Sequence, residues 1–150
     1  EKESAYTVLY VAKNGGYIGC VEVGDILREE SKTTLEELCK LGVKRQMMLT
    51  GDNGIRAKSV AEEIGLQEVY AELLPLDKLE KAKALKRNGG VSYVGYGSND
   101  APVMTGADCS VSMGTLGSAA AVEASDFVLI TDDLRGIASA VQIAKKTKNQ

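Results

Sequence analysis

The sequence contains no histidine, and this absence excludes several kinds of active site at once. Without an imidazole, neither a Ser-His-Asp triad nor a histidine-liganded zinc site is possible. A metal ion would have to be held by carboxylates or thiolates, and a general base would have to be a carboxylate or a lysine. Acidic and basic side chains are therefore the ones to follow along this chain.

Cysteine is also scarce, with three residues, Cys20, Cys39 and Cys109, that lie far apart in the sequence. Their odd number and the lack of a Cys-x-x-Cys pair indicate reduced thiols rather than a disulfide framework or a zinc site. This cysteine usage is typical of a cytosolic protein, and we predict a cytoplasmic location.

Long apolar runs and an excess of basic residues are missing too. No stretch approaches the roughly 18 apolar residues that a membrane-spanning helix needs, and the opening EKESAYTVLY lacks the layout of a signal peptide. The net charge of -3 offers nothing to attract nucleic acid or anionic lipid. A length of 150 residues and a hydrophobic content of 44% predict one globular core. We expect neither a membrane span nor a nucleic-acid partner.

Short apolar runs alternate with amphipathic stretches, and this alternation predicts the fold. Apolar runs flank Asn14-Gly15, which predicts a β-hairpin because both turn residues tolerate positive φ. Short strands between longer helices are typical of a parallel sheet covered by helices on both faces. The predicted class is α/β, a doubly wound parallel sheet with an N-terminal hairpin. The other predicted elements are helices at 29–41, 54–65, 76–86 and 134–147 and strands at MMLT, VSYVGYG, DCSVSMG and DFVLITDD.

Polar clusters follow two of these strands, at the edge of the sheet where ligands bind in such folds. Thr50-Gly51-Asp52 offers a hydroxyl and backbone N–H groups at a helix start, which suits an anion but equally suits a simple helix cap. Asn99-Asp100 offers an amide and a carboxylate, which could hold a phosphoryl group and Mg²⁺ or could simply form a turn.

Lys78 stands near the start of a predicted helix, where the helix dipole favours anions over cations. Such a lysine either extends into solvent or faces a bound phosphate. Taken alone, its position favours the lysine that extends into solvent.

Three segments occur in this order: MMLTGDN, EVYAELLPLDKLEKAKAL and VGYGSNDAPVMTGADCSVSMGTLGSAAAVEASDFVLITDDL. In sequence and order they closely resemble the phosphorylation domain of heavy-metal P-type ATPases, and GTLGSAAAVEASD is most similar to the zinc/cadmium branch. The resemblance runs from about Tyr10 to Lys148. It implies a haloacid-dehalogenase-like core in which MgATP phosphorylates an aspartate, whose hydrolysis then drives ion transport.

The resemblance also implies roles for individual residues. Thr50 and Gly51 would hold the phosphoryl oxygens, with Asp52 beside them. Lys78 would neutralise the phosphoryl charge, and the remaining phosphate and Mg²⁺ contacts would come from Asn99 and Asp100, with Asp100 as the metal ligand.

The same resemblance implies a division of the chain. Residues 1–24 would be a hairpin from the end of a nucleotide-binding domain, and residues 25–150 would be the phosphorylation-domain core. Asp25 matches the family's hinge aspartate.

The chain departs from the family in two places that matter for chemistry. The Asp-Lys-Thr-Gly-Thr segment, which carries the nucleophilic aspartate, does not occur in the sequence. Tyr96 stands where the family has an aspartate that binds Mg²⁺, and Ser98 stands where an isoleucine is usual. A phenol does not replace a carboxylate in a magnesium shell, so we expect Mg²⁺ binding to be weak or lost. Ala119 and Gly54 are smaller departures.

Several functional hypotheses remain open. The chain is either the C-terminal part of a transporter's phosphorylation domain, catalytically incomplete by itself, or a degenerate stand-alone relative that acts as a binding or interaction module. A soluble phosphatase would need a nucleophile, and Asp25 is the only candidate. The expected partners are phosphate or a nucleotide, together with the rest of a P-type ATPase or a second copy that completes the sheet.

The absent nucleophile strand raises a structural question, because its neighbours in the family are the strands MMLT and YVGYG. Either YIGCVEV, at residues 17–23, takes the vacant central place, or the hairpin stays outside the core and a partner or water covers the gap. Against insertion, Glu22 would bring a carboxylate into a strand buried on both faces.

Overall fold

The computed structural model describes residues 7–24, 26–114 and 117–148. Asp25, the candidate hinge residue, lies outside the described residues. Within these ranges the chain forms seven strands, six α-helices and one 3-10 turn, Ser98–Asp100. The strands are β1 (Thr7–Lys13), β2 (Gly16–Val23), β3 (Met47–Leu49), β4 (Glu68–Tyr70), β5 (Ser92–Gly95), β6 (Cys109–Met113) and β7 (Phe127–Leu129). The helices are α1 (Ser31–Lys40), α2 (Gly54–Ile64), α3 (Pro75–Lys86), α4 (Ala101–Gly106), α5 (Ala119–Glu123) and α6 (Arg135–Lys148).

The N-terminal hairpin is present as predicted. β1 and β2 pair antiparallel, and Asn14 and Gly15 both have positive φ, at 51° and 79°. A shift in register between Val11 and Ala12 marks a bulge. The Asn-Gly turn closes this hairpin locally, so its backbone bonds form at little cost in loop entropy.

The insertion of residues 17–23 into the core is wrong. Among the described strands, β2 pairs with β1 and with no other strand. Its side chains are exposed at nearly every position, Glu22 included. Exposure keeps that carboxylate hydrated, whereas a central strand would have had to bury it.

The remaining strands form two separate parallel sheets. β3 pairs with β4, and β5, β6 and β7 pair in that order. The α/β class with parallel strands and a separate hairpin is thereby confirmed. In the described part of the chain, however, neither β3 nor β5 has a partner on its second edge. The parallel sheet is therefore divided between the two strands that carry the candidate site.

Capping residues define both ends of α2 and the start of α3. The side chain of Asn53 accepts the Arg56 N–H at 2.9 Å and starts α2, and Gly65 ends it in the left-handed conformation. Pro75 opens α3, and the Asp77 carboxylate accepts the Leu74 N–H at 2.9 Å. Each of these contacts satisfies a helix-end group that would otherwise lack a partner.

The core consists largely of small side chains, which lets the helices approach one another closely. Helix α3 packs on α4, and α1 packs on α6 and α2. Met104 and Val103 of α4 are the largest apolar side chains that are fully buried. The other buried apolar residues are Ala57, Ala61, Ala82, Met113, Ala121 and Ala138.

Candidate functional site

The turn after β3 is held in place by the segment after β4. The Thr50 N–H donates to the Tyr70 carbonyl at 2.9 Å, and the Leu73 N–H donates back to the Thr50 carbonyl at 3.0 Å. The Thr50 hydroxyl donates to Asp52 Oδ2 at 2.9 Å and accepts the Asp52 N–H at 3.1 Å. Gly51 is exposed between them. The turn therefore presents a fixed hydroxyl and an exposed backbone at the start of α2, while Asn53 performs the capping.

Lys78 lies in α3 and does not extend into solvent. Its Nζ is 3.0 Å from Asp100 Oδ1, and each of the two side chains is 12% exposed. The solvent-extended alternative is therefore not the one found. An ammonium group has three N–H donors, so the bond to Asp100 leaves two for another anion.

Asp100 is the most heavily bonded carboxylate of the site. The 3-10 turn folds it back over the end of β5, where Oδ1 accepts from Lys78 and from the Tyr93 hydroxyl at 2.8 Å. Oδ2 accepts the backbone N–H groups of Gly97 at 3.2 Å and Tyr96 at 3.4 Å. Burial raises the pKa of this carboxyl, but the hydrogen bonds from Tyr93 and Lys78 outweigh it and set the pKa below its ordinary value.

Gly95 makes this conformation of Asp100 possible. A Cβ at Gly95 would lie 2.9 Å from Asp100 Oδ2 and 3.0 Å from its Cβ and Cγ. The carboxylate thus lies directly against the last residue of β5, in space that only glycine leaves open.

Tyr93 is the site residue that sequence reasoning missed. Burial and the neighbouring negative charge of Asp100 raise the pKa of its hydroxyl, so it is a neutral hydrogen-bond donor at neutral pH. Strand alternation could have found it, because side chains two positions apart lie on one face. Tyr93 is two residues before Gly95, against which Asp100 packs.

The two polar residues of the turn are more exposed. Tyr96 is 62% exposed, and its carbonyl accepts the Ser118 N–H at 2.7 Å. Asn99 is exposed, and its Oδ1 accepts from the Ser98 hydroxyl at 3.3 Å. The predicted site therefore has two halves, one that joins Lys78 to Asp100 and one that joins Thr50 to Asp52. No hydrogen bond among these four described side chains connects one half to the other.

The donor set does not fit a magnesium ion. Among residues 7–24, 26–114 and 117–148, no three cysteine, aspartate or glutamate side chains come together as a possible metal-binding group. Mg²⁺ prefers an octahedral shell of oxygen ligands that includes carboxylates. Here the turn supplies one carboxylate, Asp100, which already accepts four hydrogen bonds.

The fold and the site together point to a phosphoryl-transfer family, and comparison with known proteins shows which one. Residues 2–108 match the model of the haloacid dehalogenase-like hydrolases, so the chain belongs to that family. Within it, the chain matches the phosphorylation domain of heavy-metal P-type ATPases, as the sequence motifs predicted.

Two curated relatives and one crystal structure illustrate the match. The cadmium, zinc and cobalt-transporting ATPase of Bacillus subtilis (strain 168) is 43% identical over 97% of this chain and 21% of its own length. Copper-exporting P-type ATPase B of Archaeoglobus fulgidus is 41% identical over 97% of this chain and 21% of its own. A zinc-transporting PIB-type ATPase in the E2.Pi state is 36% identical with a TM-score of 0.85, over 97% of this chain and 24% of that one.

The chain thus spans about a fifth of the length of the curated relatives it matches. Membership implies ATP and Mg²⁺ use in the parent family. The matched region is the catalytic domain, which is cytoplasmic in those ATPases. None of the helices in the described residues is long and apolar enough to cross a membrane.

Proposed function

We propose that this chain is the C-terminal part of the phosphorylation domain of a heavy-metal-transporting P-type ATPase. The observation that carries the proposal is the division of the parallel sheet between β3 and β5. In the family, the strand with the nucleophilic aspartate runs between these two strands. The chain therefore contributes the residues around the phosphoryl group but not the residue that becomes phosphorylated.

Each half of the site has a task in that reaction. The Gly51 N–H, at the start of α2, donates to a phosphoryl oxygen where the helix dipole favours an anion. The single proton of the Thr50 hydroxyl, which is bonded to Asp52 Oδ2 in this structure, turns to the phosphoryl group when that group is bound. The free N–H donors of Lys78 offset the phosphoryl charge, and the exposed Asn99 amide adds a further donor. Asp52 and Asp100 orient Thr50 and Lys78 through the bonds described above.

Mg²⁺ binding by this chain is weak or lost in our proposal. Tyr96 offers a phenol where the family has a carboxylate, and a neutral phenol does not compensate the charge of a divalent ion. ATP, like Mg²⁺, would be used by the parent protein with residues that this chain does not contain.

The expected partner is an extended segment that pairs with the open edges of β3 and β5. The rest of a P-type ATPase would supply it, and a second copy of the chain is the other source. Relatives named for cadmium, zinc and cobalt and for copper match this chain almost equally well, at 43% and 41% identity.

A turnover assay separates this proposal from a soluble phosphatase. With MgCl₂ and either ATP or p-nitrophenyl phosphate, the purified chain should release no phosphate above background, because the sequence does not contain the Asp-Lys-Thr-Gly-Thr segment that carries the family's nucleophile. Asp25→Asn is the matched variant, since Asp25 is the candidate nucleophile of the alternative. A magnesium-dependent rate that Asp25→Asn abolishes would establish the phosphatase and overturn the proposal.

A further inference from the structure

We propose that Tyr93 closes Asp100 to divalent cations, so that the turn after β5 is kept in shape by hydrogen bonds alone and does not take Mg²⁺. The inference rests on the proposed function only for placing the phosphate site at this turn. It concerns a residue of the strand, Tyr93, in addition to the tyrosine of the turn, Tyr96.

The acceptor positions of Asp100 are all in use. A carboxylate has two oxygens and about four lone-pair positions. Oδ1 accepts from Lys78 Nζ at 3.0 Å and Tyr93 Oη at 2.8 Å, and Oδ2 accepts from Gly97 N at 3.2 Å and Tyr96 N at 3.4 Å. A metal ion at Asp100 would therefore have to displace one of these donors.

Tyr93 is the donor that decides whether Oδ1 is available. The two backbone donors belong to the turn itself, and Lys78 supplies the charge that a buried carboxylate needs. The Tyr93 hydroxyl makes the shortest of the four contacts. A phenylalanine would fill nearly the same space and leave one position on Oδ1 open.

Electrostatics also oppose a metal ion here. The Lys78 ammonium already lies 3.0 Å from the carboxylate, so a divalent ion at Oδ1 would meet a neighbouring positive charge in a buried site. Asp100 itself is 9% exposed, which limits screening by water. With Tyr96 instead of a second carboxylate, nothing at the turn compensates this repulsion.

The test compares four versions of the full chain: wild type, Tyr93→Phe, Tyr96→Asp and the double variant Tyr93→Phe/Tyr96→Asp. Isothermal titration with MgCl₂ should show no saturable binding to wild type and measurable binding to Tyr96→Asp. The double variant should bind about ten- to a hundredfold more tightly than Tyr96→Asp, because the metal no longer has to break one hydrogen bond to a carboxylate. Tyr10→Phe, which removes a hydroxyl from the exposed hairpin, should leave the result unchanged.

Two results would overturn the inference. One is equal Mg²⁺ affinity of Tyr96→Asp and the double variant, which would remove Tyr93 from the site chemistry. The other is saturable Mg²⁺ binding by wild type that Asp100→Asn abolishes. If Tyr93→Phe does not fold, the measurement is made on the wild-type chain by NMR. The resonance of the Asp100 carboxyl carbon should move no more with MgCl₂ than with NaCl of equal ionic strength. A saturable shift with MgCl₂ would contradict the proposal.

Phosphate binding is measured separately, in the absence of Mg²⁺. A wild-type melting temperature that does not respond to phosphate would count against the phosphate site of the proposed function. It would leave the comparison of Mg²⁺ affinities as it stands, so the two failures are distinguishable.

Discussion

Lys78 tests at the scale of one residue whether the site still recognises anions. One N–H of its ammonium group donates to Asp100, which leaves two for an anion. Binding of phosphate or sulfate should therefore raise the melting temperature of the chain, and Lys78→Ala should reduce that shift. Lys83→Ala, at an exposed position of the same helix, is the matched control and should keep the full shift. An unchanged shift in Lys78→Ala would mean that this lysine serves Asp100 alone.

Asp100 should make stability depend on pH in the acid range. Its pKa is lower in the folded state than in the unfolded state, so the unfolded chain binds the proton more readily. The stabilisation is therefore complete above the unfolded pKa, about 4, and is lost as pH falls through the folded value. Urea unfolding below about pH 5 should show a steeper loss of free energy for wild type than for Asp100→Asn. Parallel curves would show that this carboxylate has the same pKa in both states.

The individual site residues were predictable to different degrees. At Thr50 and Lys78 the local pattern also suits a helix cap and a solvent-exposed lysine, so the family resemblance, not the spacing, is what assigns these residues to the site. Tyr93 was missed because a tyrosine within a strand is most often a core residue. Tyr93 belongs to the site because the 3-10 turn folds Asp100 back onto the strand, where the Tyr93 hydroxyl donates to it. The strand sequence by itself does not show this contact.

At the scale of elements, the end of β5 depends on a glycine. Gly95→Ala would place a Cβ 2.9 Å from Asp100 Oδ2, so the carboxylate would have to leave its four donors or the strand would have to move. We expect a loss of about 1 to 3 kcal/mol in the free energy of unfolding, the usual effect of overpacking a buried position. Chemical denaturation measures it.

Gly54→Ala is the control with the opposite expected sign. A Cβ at Gly54 meets nothing within 4 Å, and the residue lies in α2, where alanine is favoured. It should stabilise the chain by about 0.4 to 1 kcal/mol. If the two substitutions had the same effect, the close contact at Gly95 would not be the cause.

The elements that sequence patterns missed are the short ones. The Asn14-Gly15 turn and the long amphipathic helices carry enough signal to be predicted, and they are found. α4 and α5 were not predicted, since five or six residues are too few to show a helical period. β4 was not predicted because, unlike MMLT or DFVLITDD, it offers only two apolar residues, Val69 and Tyr70. α4 directly continues the Ser98–Asp100 turn, so its sequence pattern is that of a loop. Its helical structure is stabilised by packing against α3, which the sequence pattern does not show.

At the scale of the whole molecule, the family resemblance identified the missing strand, but chain order alone did not decide what takes its place. A strand, helix, strand order favours a right-handed parallel crossover that would put residues 17–23 beside Met47–Leu49. The Glu22 carboxylate favours instead a hairpin outside the core, and the hairpin outside the core is the alternative found. The hairpin closed by the Asn-Gly turn is more favourable than the long-range pairing for two reasons. It leaves the Glu22 carboxylate exposed, and it closes a shorter loop, which costs less conformational entropy.

The division of the sheet leads to the last prediction. Among the described strands, β3 and β5 each have one edge without a strand partner, and unpaired backbone groups that lose water cost roughly 1 to 3 kcal/mol each. A synthetic peptide with an apolar strand that ends in Asp-Lys-Thr-Gly-Thr should pair with both edges and raise the melting temperature. It should also slow hydrogen exchange at the amides of Leu49 and Val94, which by strand alternation face the open edges. Thr50 bonds to the β4 side, at Tyr70, and Val91 bonds to the β6 side, at Cys109.

A peptide with the same residues in scrambled order is the control for that experiment, because it keeps the composition but loses the alternation and the terminal motif. Exchange should remain fast with the scrambled peptide. If Leu49 and Val94 are already protected in the chain alone, and light scattering shows a dimer, a second copy supplies the pairing instead of the rest of a P-type ATPase. If the chain is monomeric and the native-order peptide changes neither exchange nor melting, the two edges do not form a strand-binding gap, and the proposal that this chain is completed by an inserted strand is wrong.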